Sequence, residues 1–111
     1  MTMKWTLQVV AAASFATLAI PAFAADDAAA EALMKKSGCF KCHAISAKKD
    51  GPSYKSVGEK YKGKPDAETK LYTHLTTNPK IKVDGNEEMH ESLKTKSDAE
   101  IKNVIQFILS R

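Results

Sequence analysis

Cys39-Phe40-Lys41-Cys42-His43 is the stretch on which the fold of this 111-residue chain turns, and it contains both of the chain's cysteines. A disulfide between residues so close together would restrict the unfolded chain very little. A structural zinc site needs four ligands, usually with a second pair at similar spacing. No second cysteine pair exists here, and His74 and His90 are well separated in sequence. A thioredoxin-like redox pair opens a helix in a βαβ pattern, whereas this sequence shows no strand-like alternating run. The remaining chemistry is covalent haem attachment. Two thiols add to the haem vinyl groups, and the adjacent imidazole is carried beneath the iron as an axial ligand.

Upstream, the chain reads as an export signal. Lys4 supplies the positive start, Leu7 to Ile20 is uncharged, and Ala22-Phe23-Ala24 is a small-x-small cleavage signature. The apolar run is shorter than the roughly 20 residues of a spanning helix, and Pro21 breaks it before the cleavage signature. The expectation is cleavage after Ala24, with residues 1–24 as signal peptide and 25–111 as one periplasmic domain that has no stable membrane insertion. Removing the signal leaves 87 residues and a net charge of +3, because Lys4 is lost from a chain of +4. A domain this small usually needs a staple or a cofactor to be stable.

The mature segment predicts helices and loops. Asp26 and Asp27 can cap a first helix with Ala29, Ala30, Leu33 and Met34 on its apolar side, running to about Lys36 and stopped by Gly38. Gly51-Pro52 marks a loop. Helices follow from about Ser53 to Tyr61 and from Asp66 to about Thr77, the latter stopping before Asn78-Pro79. Ser97-Asp98-Ala99-Glu100 is a capping box. After it, Ile101, Val104, Ile105 and Ile108 fall at i, i+3, i+4 and i+7, and Phe107 and Leu109 widen that face. So apolar a last helix needs a partner, and the first helix is the natural one. The fold class is all-α, with helices wrapped around one haem and the first and last helices packed together.

These features together resemble the small soluble class I cytochromes c of bacteria. The resemblance rests on the helix leading into Cys39–His43, Gly51-Pro52 shortly after it, the Tyr61-Lys62-Gly63 step and the Ser-Asp-Ala-Glu helix, and it covers the whole mature segment. It implies thioethers at Cys39 and Cys42, His43 as proximal ligand, and a hydrogen bond from the other nitrogen of His43 to the carbonyl at Pro52, which fixes the ring.

The sixth ligand stays open between two neighbours. Met34 sits on the first helix and reads as core filler, while His74 reads as a surface or haem-edge residue. Met89 and His90 remain, both in the expected loop between Pro79 and the last helix. Family habit favours methionine, usually followed by proline about six residues before the final helix. Here Met89 is followed by His90, and Ser97 lies eight residues beyond Met89. Asp84-Gly85-Asn86-Glu87-Glu88-Met89-His90 also resembles a subset of short cytochromes in which an acidic pair and a variable residue precede histidine, which leans the choice slightly to His90. Methionine raises the reduction potential, so the choice sets which partners the protein can serve.

Lys35, Lys36, Lys41, Lys48 and Lys49 lie close in sequence to the haem motif and could form a basic rim, partly offset by Glu87, Glu88 and Glu91. Such a rim would steer redox proteins, acidic-surfaced oxidases or dehydrogenases among them, into rapid encounter. Small net charge and the lack of a basic stripe interleaved with aromatics argue against nucleic acid. The leading expectation is a one-electron carrier and not an enzyme. The alternative is a small-ligand-binding or sensing haem protein with a labile sixth ligand, which nothing else in the sequence supports, since the only arginine is Arg111.

Overall fold

The computed structural model describes residue 2, residues 11–16 and residues 25–111. The expected export signal with its cleavage point after Ala24 falls largely outside these residues. Among them, no helix is long and apolar enough to cross a membrane.

Four helices form where the sequence places them: α1 Asp27–Lys36, α2 Tyr54–Tyr61, α3 Ala67–Thr76 and α4 Asp98–Leu109. The starts of α1, α2 and α4 each have a local cause. The Asp26 carboxylate accepts from the Ala29 N–H at 3.1 Å and starts α1, and the Ser53 hydroxyl does the same for Ser56 at the head of α2. At α4 the Ser97 hydroxyl accepts from Glu100 N–H at 3.3 Å. The return arm of this box runs through Thr95, whose hydroxyl accepts from Ser97 N–H and donates to the Glu100 carboxylate at 2.7 Å. The Ser97 and Glu100 N–H groups at the head of α4 thereby have partners, and the helix start is tied to the preceding loop.

α4 is the hub. Ile101, Val104, Ile105, Phe107 and Ile108 are all buried, and they meet Ala30 and Met34 of α1, Tyr54 of α2, and Leu71 and Leu75 of α3. Met34 is fully enclosed, as a core-filling residue should be. The pairing of first and last helices is locked at the N-terminal end of α1. Asn103 accepts from Asp26 N–H at 2.8 Å and donates to Asp26 O at 2.9 Å, and Arg111 pairs with Asp27 at 3.0 Å while lying over the Phe107 ring. α2 crosses the C-terminal end of α4 at Gly58, where a Cβ would stand 2.8 Å from the Ile108 carbonyl oxygen. Only glycine permits that approach.

One element departs from expectation. The segment after Pro79 is a two-stranded antiparallel hairpin, β1 Lys80–Val83 and β2 Asn86–Met89, where the sequence was read as loop with no strand-like run. Lys80-Ile81-Lys82-Val83 does alternate, and Asp84 and Gly85 turn the chain with φ of +50° and +80°. That is the left-handed pair of a tight hairpin turn, for which Asp-Gly is a favoured sequence. The alternation is only four residues long, so helical periodicity elsewhere outweighs it. The fold is otherwise the expected all-α wrap.

Candidate haem-binding site

The end of α1 delivers the cysteines. Buried Ser37 closes the helix, and its hydroxyl accepts from Lys94 N–H at 2.9 Å, tying the loop before α4 to this corner. Gly38, at φ +77°, reverses the chain into one turn of 3-10 helix over Cys39–Lys41. His43 N–H then reaches back to Cys39 O at 3.0 Å. The turn holds both thiols and the imidazole together, with the cysteines free and half-buried. Burial pushes the Cys39 thiol up, against a lowering hydrogen bond from the Tyr54 hydroxyl. The Tyr54 phenol is itself pushed up, chiefly by burial.

His43 is held from three sides. Its Nδ1 lies 2.7 Å from the Pro52 carbonyl oxygen, as the sequence resemblance implied. A carbonyl can only accept, so Nδ1 carries the proton and Nε2 is left with a lone pair for a metal. Gly51 backs the ring so closely that a Cβ there would stand 2.5 Å from Cε1. The Tyr54 ring lies 5.1 Å away and meets Phe40 edge-on. The loop that brings Gly51 and Pro52 here is pinned by Gly51 N–H to Cys42 O at 2.7 Å and by the Lys49 ammonium to Phe40 O at 2.8 Å.

The hairpin presents the opposite side. Lys80 pairs with Met89, Ile81 with Glu88, Lys82 with Glu87 and Val83 with Asn86. Lys80, Lys82, Glu87 and Met89 therefore share one face, and Ile81 and Val83 belong to the other. The half-buried residues are Ile81 and Val83, so theirs is the inner face. The ladder continues one step, with His90 N–H donating to Pro79 O at 2.8 Å. His90 thus falls on the inner side, and Met89, 58% exposed, on the outer. The His90 and His43 ring centres are 6.1 Å apart.

That separation suits a shared metal. Two imidazole nitrogens at about 2 Å from one metal centre place the ring centres roughly 6 Å apart. His90 Nδ1 is also buried without a hydrogen-bond partner among the described residues, an uncommon condition for a polar atom. The donor set of two thiols in one turn and two facing imidazoles fits a covalent haem. It does not fit zinc, because among the described residues no three His, Cys, Asp or Glu side chains gather to hold an ion.

Two residues here, Tyr54 and Asn78, were not singled out from sequence as site residues, whereas His74 was. His74, read as surface or haem-edge, stands with its ring 4.2 Å from that of His90, and burial pushes both imidazoles' pKa values down. Tyr54 was only a helix residue until folding set it against Cys39 and His43. Asn78, read as a helix stop, donates from its side-chain amide to His90 O at 2.9 Å. Of the expected basic rim, Lys35, Lys36, Lys41 and Lys48 are exposed, while Lys49 is engaged with Phe40.

A Cys-x-x-Cys-His turn at the end of the first helix, with that helix packed on the last, is the arrangement of a class I cytochrome c. The chain belongs to the cytochrome c family, whose model, described as Cytochrome c, matches residues 28–111. It is 36% identical over 99 residues to cytochrome c-552 of Hydrogenobacter thermophilus, covering 86% of this chain and 95% of that one. It is also 36% identical over 78 residues to cytochrome c2 of Rubrivivax gelatinosus, covering 69% and 91%. Among solved structures, the class 1 cytochrome MtoD of Sideroxydans lithotrophicus ES-1 superposes with a TM-score of 0.75 at 50% identity, over 78% of this chain and 97% of that one. Cytochrome c552 of Nitrosomonas europaea follows with a TM-score of 0.56 at 29% identity, over 72% and 96%. As a member of this family the protein carries one covalently bound haem c and serves electron transport.

Proposed function

We propose that this protein is a periplasmic one-electron carrier, exported by residues 1–24 with cleavage after Ala24, whose haem is held by thioethers at Cys39 and Cys42 and ligated by His43 and His90. The observation that carries this reading is the 6.1 Å separation of the His43 and His90 rings, with Met89 directed outward from the hairpin. The haem, when bound, supplies an iron that alternates between ferric and ferrous by gain and loss of one electron.

The chain's own residues keep that exchange simple. Pro52 O holds the proton on His43 Nδ1, so the proximal ring has one tautomer and one orientation. Pro79 and Asn78 hold the backbone of His90 from both sides. His43 and His90 would hold the iron through two imidazoles fixed by their surroundings, leaving no position for a substrate, which favours a carrier over the ligand-binding alternative. The one arginine, Arg111, is bound to Asp27 at the far end of α4 and is no distal donor. Exposed Lys35, Lys36, Lys41 and Lys48 around the haem-attachment turn suit acidic-surfaced oxidases or dehydrogenases as partners.

The test is the ferric absorption spectrum of the holoprotein, beside its Met89→Leu and His90→Ala variants. Two imidazole ligands give a low-spin spectrum without the weak red-edge band of iron-bound methionine sulfur. Met89→Leu should leave it unchanged, and His90→Ala should convert it to high-spin or methionine-bound forms. A red-edge band in the unsubstituted protein that disappears in Met89→Leu overturns the assignment of His90. A high-spin spectrum in the unsubstituted protein that shifts on adding nitric oxide overturns the carrier reading.

A further inference from the structure

Met89 and His90 are adjacent, both side-chain types are able to ligate haem iron, and they fall on opposite faces of the hairpin. Which of them faces His43 is therefore decided by hairpin register, because a slip of one residue exchanges the two faces. Within the hairpin little resists such a slip. Its faces are polar or mixed, its strands are four residues each, and its one cross-strand ion pair, Lys80 with Glu87 at 3.4 Å, is exposed. The two-residue Asp84-Gly85 turn favours the observed register, yet a three-residue loop is the next commonest hairpin connection.

The base of the hairpin is where the register is held. Asn78 sits at φ +50°, a left-handed conformation that asparagine tolerates better than most residues. From there its amide donates to His90 O at 2.9 Å, while the next residue, Pro79, accepts from His90 N–H at 2.8 Å. Both backbone groups of His90 are thus gripped by two consecutive residues following α3. Among the described residues no corresponding hydrogen bond from a side chain grips Met89, which is 58% exposed.

We propose that Asn78 is a positioning residue that selects His90 over Met89 as distal haem ligand by locking the hairpin register at its base. The proposal rests on the assignment of His90 above. Asn78 touches neither haem nor partner; it acts through the His90 backbone. Without its amide the register holding His90 inward loses one of two gripping bonds, and the slipped register, with Met89 inward, gains population.

The test compares the ferric holoprotein with Asn78→Gly, which accepts the positive φ but lacks the amide, and with Asn78→Asp, which keeps the shape but cannot donate to a carbonyl as a carboxylate. The readouts are the red-edge methionine band, the low-spin magnetic resonance signals and the reduction potential. Loss of one hydrogen bond should move the ratio of His90-bound to Met89-bound forms by about tenfold toward methionine. Both variants should show a methionine band absent from the parent, a second low-spin species and an upward shift of potential. Adding Met89→Leu to either should remove the band. If the parent already shows the methionine band, the His90 assignment fails and this proposal with it. If the parent is bis-imidazole and both variants keep its spectrum and potential while losing only thermal stability, Asn78 is merely structural and the proposal alone is overturned.

Discussion

The space behind His43 is closed by Gly51: a methyl group placed on that glycine would lie 2.5 Å from Cε1 and 2.8 Å from Nδ1 of the imidazole. The backbone of the Gly51-Pro52 loop thus backs the ring and accepts its proton in a single contact. The two cannot be separated, because Pro52 O can reach Nδ1 only if residue 51 has no side chain.

Gly51→Ala should therefore displace the His43 ring and break its bond to Pro52. Overpacking of this kind costs about 1–3 kcal/mol. Expressed with a haem-loading system, the variant should give less holoprotein with a raised high-spin fraction, read from the absorption spectrum. An unchanged spectrum would show that the loop yields without moving the ring.

Removing either thiol should separate attachment from ligation. Cys39→Ala or Cys42→Ala leaves one thioether, detectable as a shift of the pyridine haemochrome band. The double variant should release its haem to acidified organic solvent, whereas the parent retains it. Axial ligation in each single variant should stay low-spin, because His43 is oriented by Gly51 and Pro52 and not by the thioethers.

Gly58→Ala tests the helix crossing instead of the site. A Cβ would stand 2.8 Å from Ile108 O and 3.2 Å from Arg111 O, both backbone atoms that cannot rotate away. Stability should fall by about 1–3 kcal/mol in denaturant unfolding, outweighing the modest helix propensity that alanine adds. The haem spectrum should change little, since Gly58 meets the end of α4 one turn beyond Tyr54, the α2 residue that touches His43.

Asp98 gives a pH-dependent prediction. The Lys102 ammonium, 3.1 Å away, and the Tyr72 hydroxyl hold its carboxyl below the usual carboxylate range. The folded state thus binds this proton less readily than the unfolded chain. The stabilisation is present above the ordinary aspartate pKa of about 3.9 and is lost as pH falls through the lower folded value. Asp98→Asn should unfold earlier than the parent at neutral pH, and the gap should close under acid. The pair is exposed, so the gap should be small and shrink with salt. A gap of equal size across the whole acid range would exclude this origin.

Much of this could be read from residues alone. The attachment motif needs only its five positions, since the chemistry lies in residue types at fixed spacing. The starts of α1, α2 and α4 follow from Asp26, Ser53 and Ser97, whose side chains cap backbone groups three residues away. The buried face of α4 follows from helical period. The hairpin was missed because four alternating residues carry little periodic signal, although Asp84-Gly85 was a legible turn. Tyr54 and Asn78 were missed as site residues because their contacts with Cys39, His43 and His90 span 11 to 15 residues and exist only once the helices pack.

The sequence by itself determined the cofactor, because Cys39, Cys42 and His43 lie within one turn whose geometry is local. It could not decide between Met89 and His90. Neighbours on a strand point to opposite faces, and which face is inward depends on pairing with Lys80–Val83 and on the grip of Asn78 and Pro79 at the base. Only the tertiary structure supplies that register, and it turns His90 toward His43.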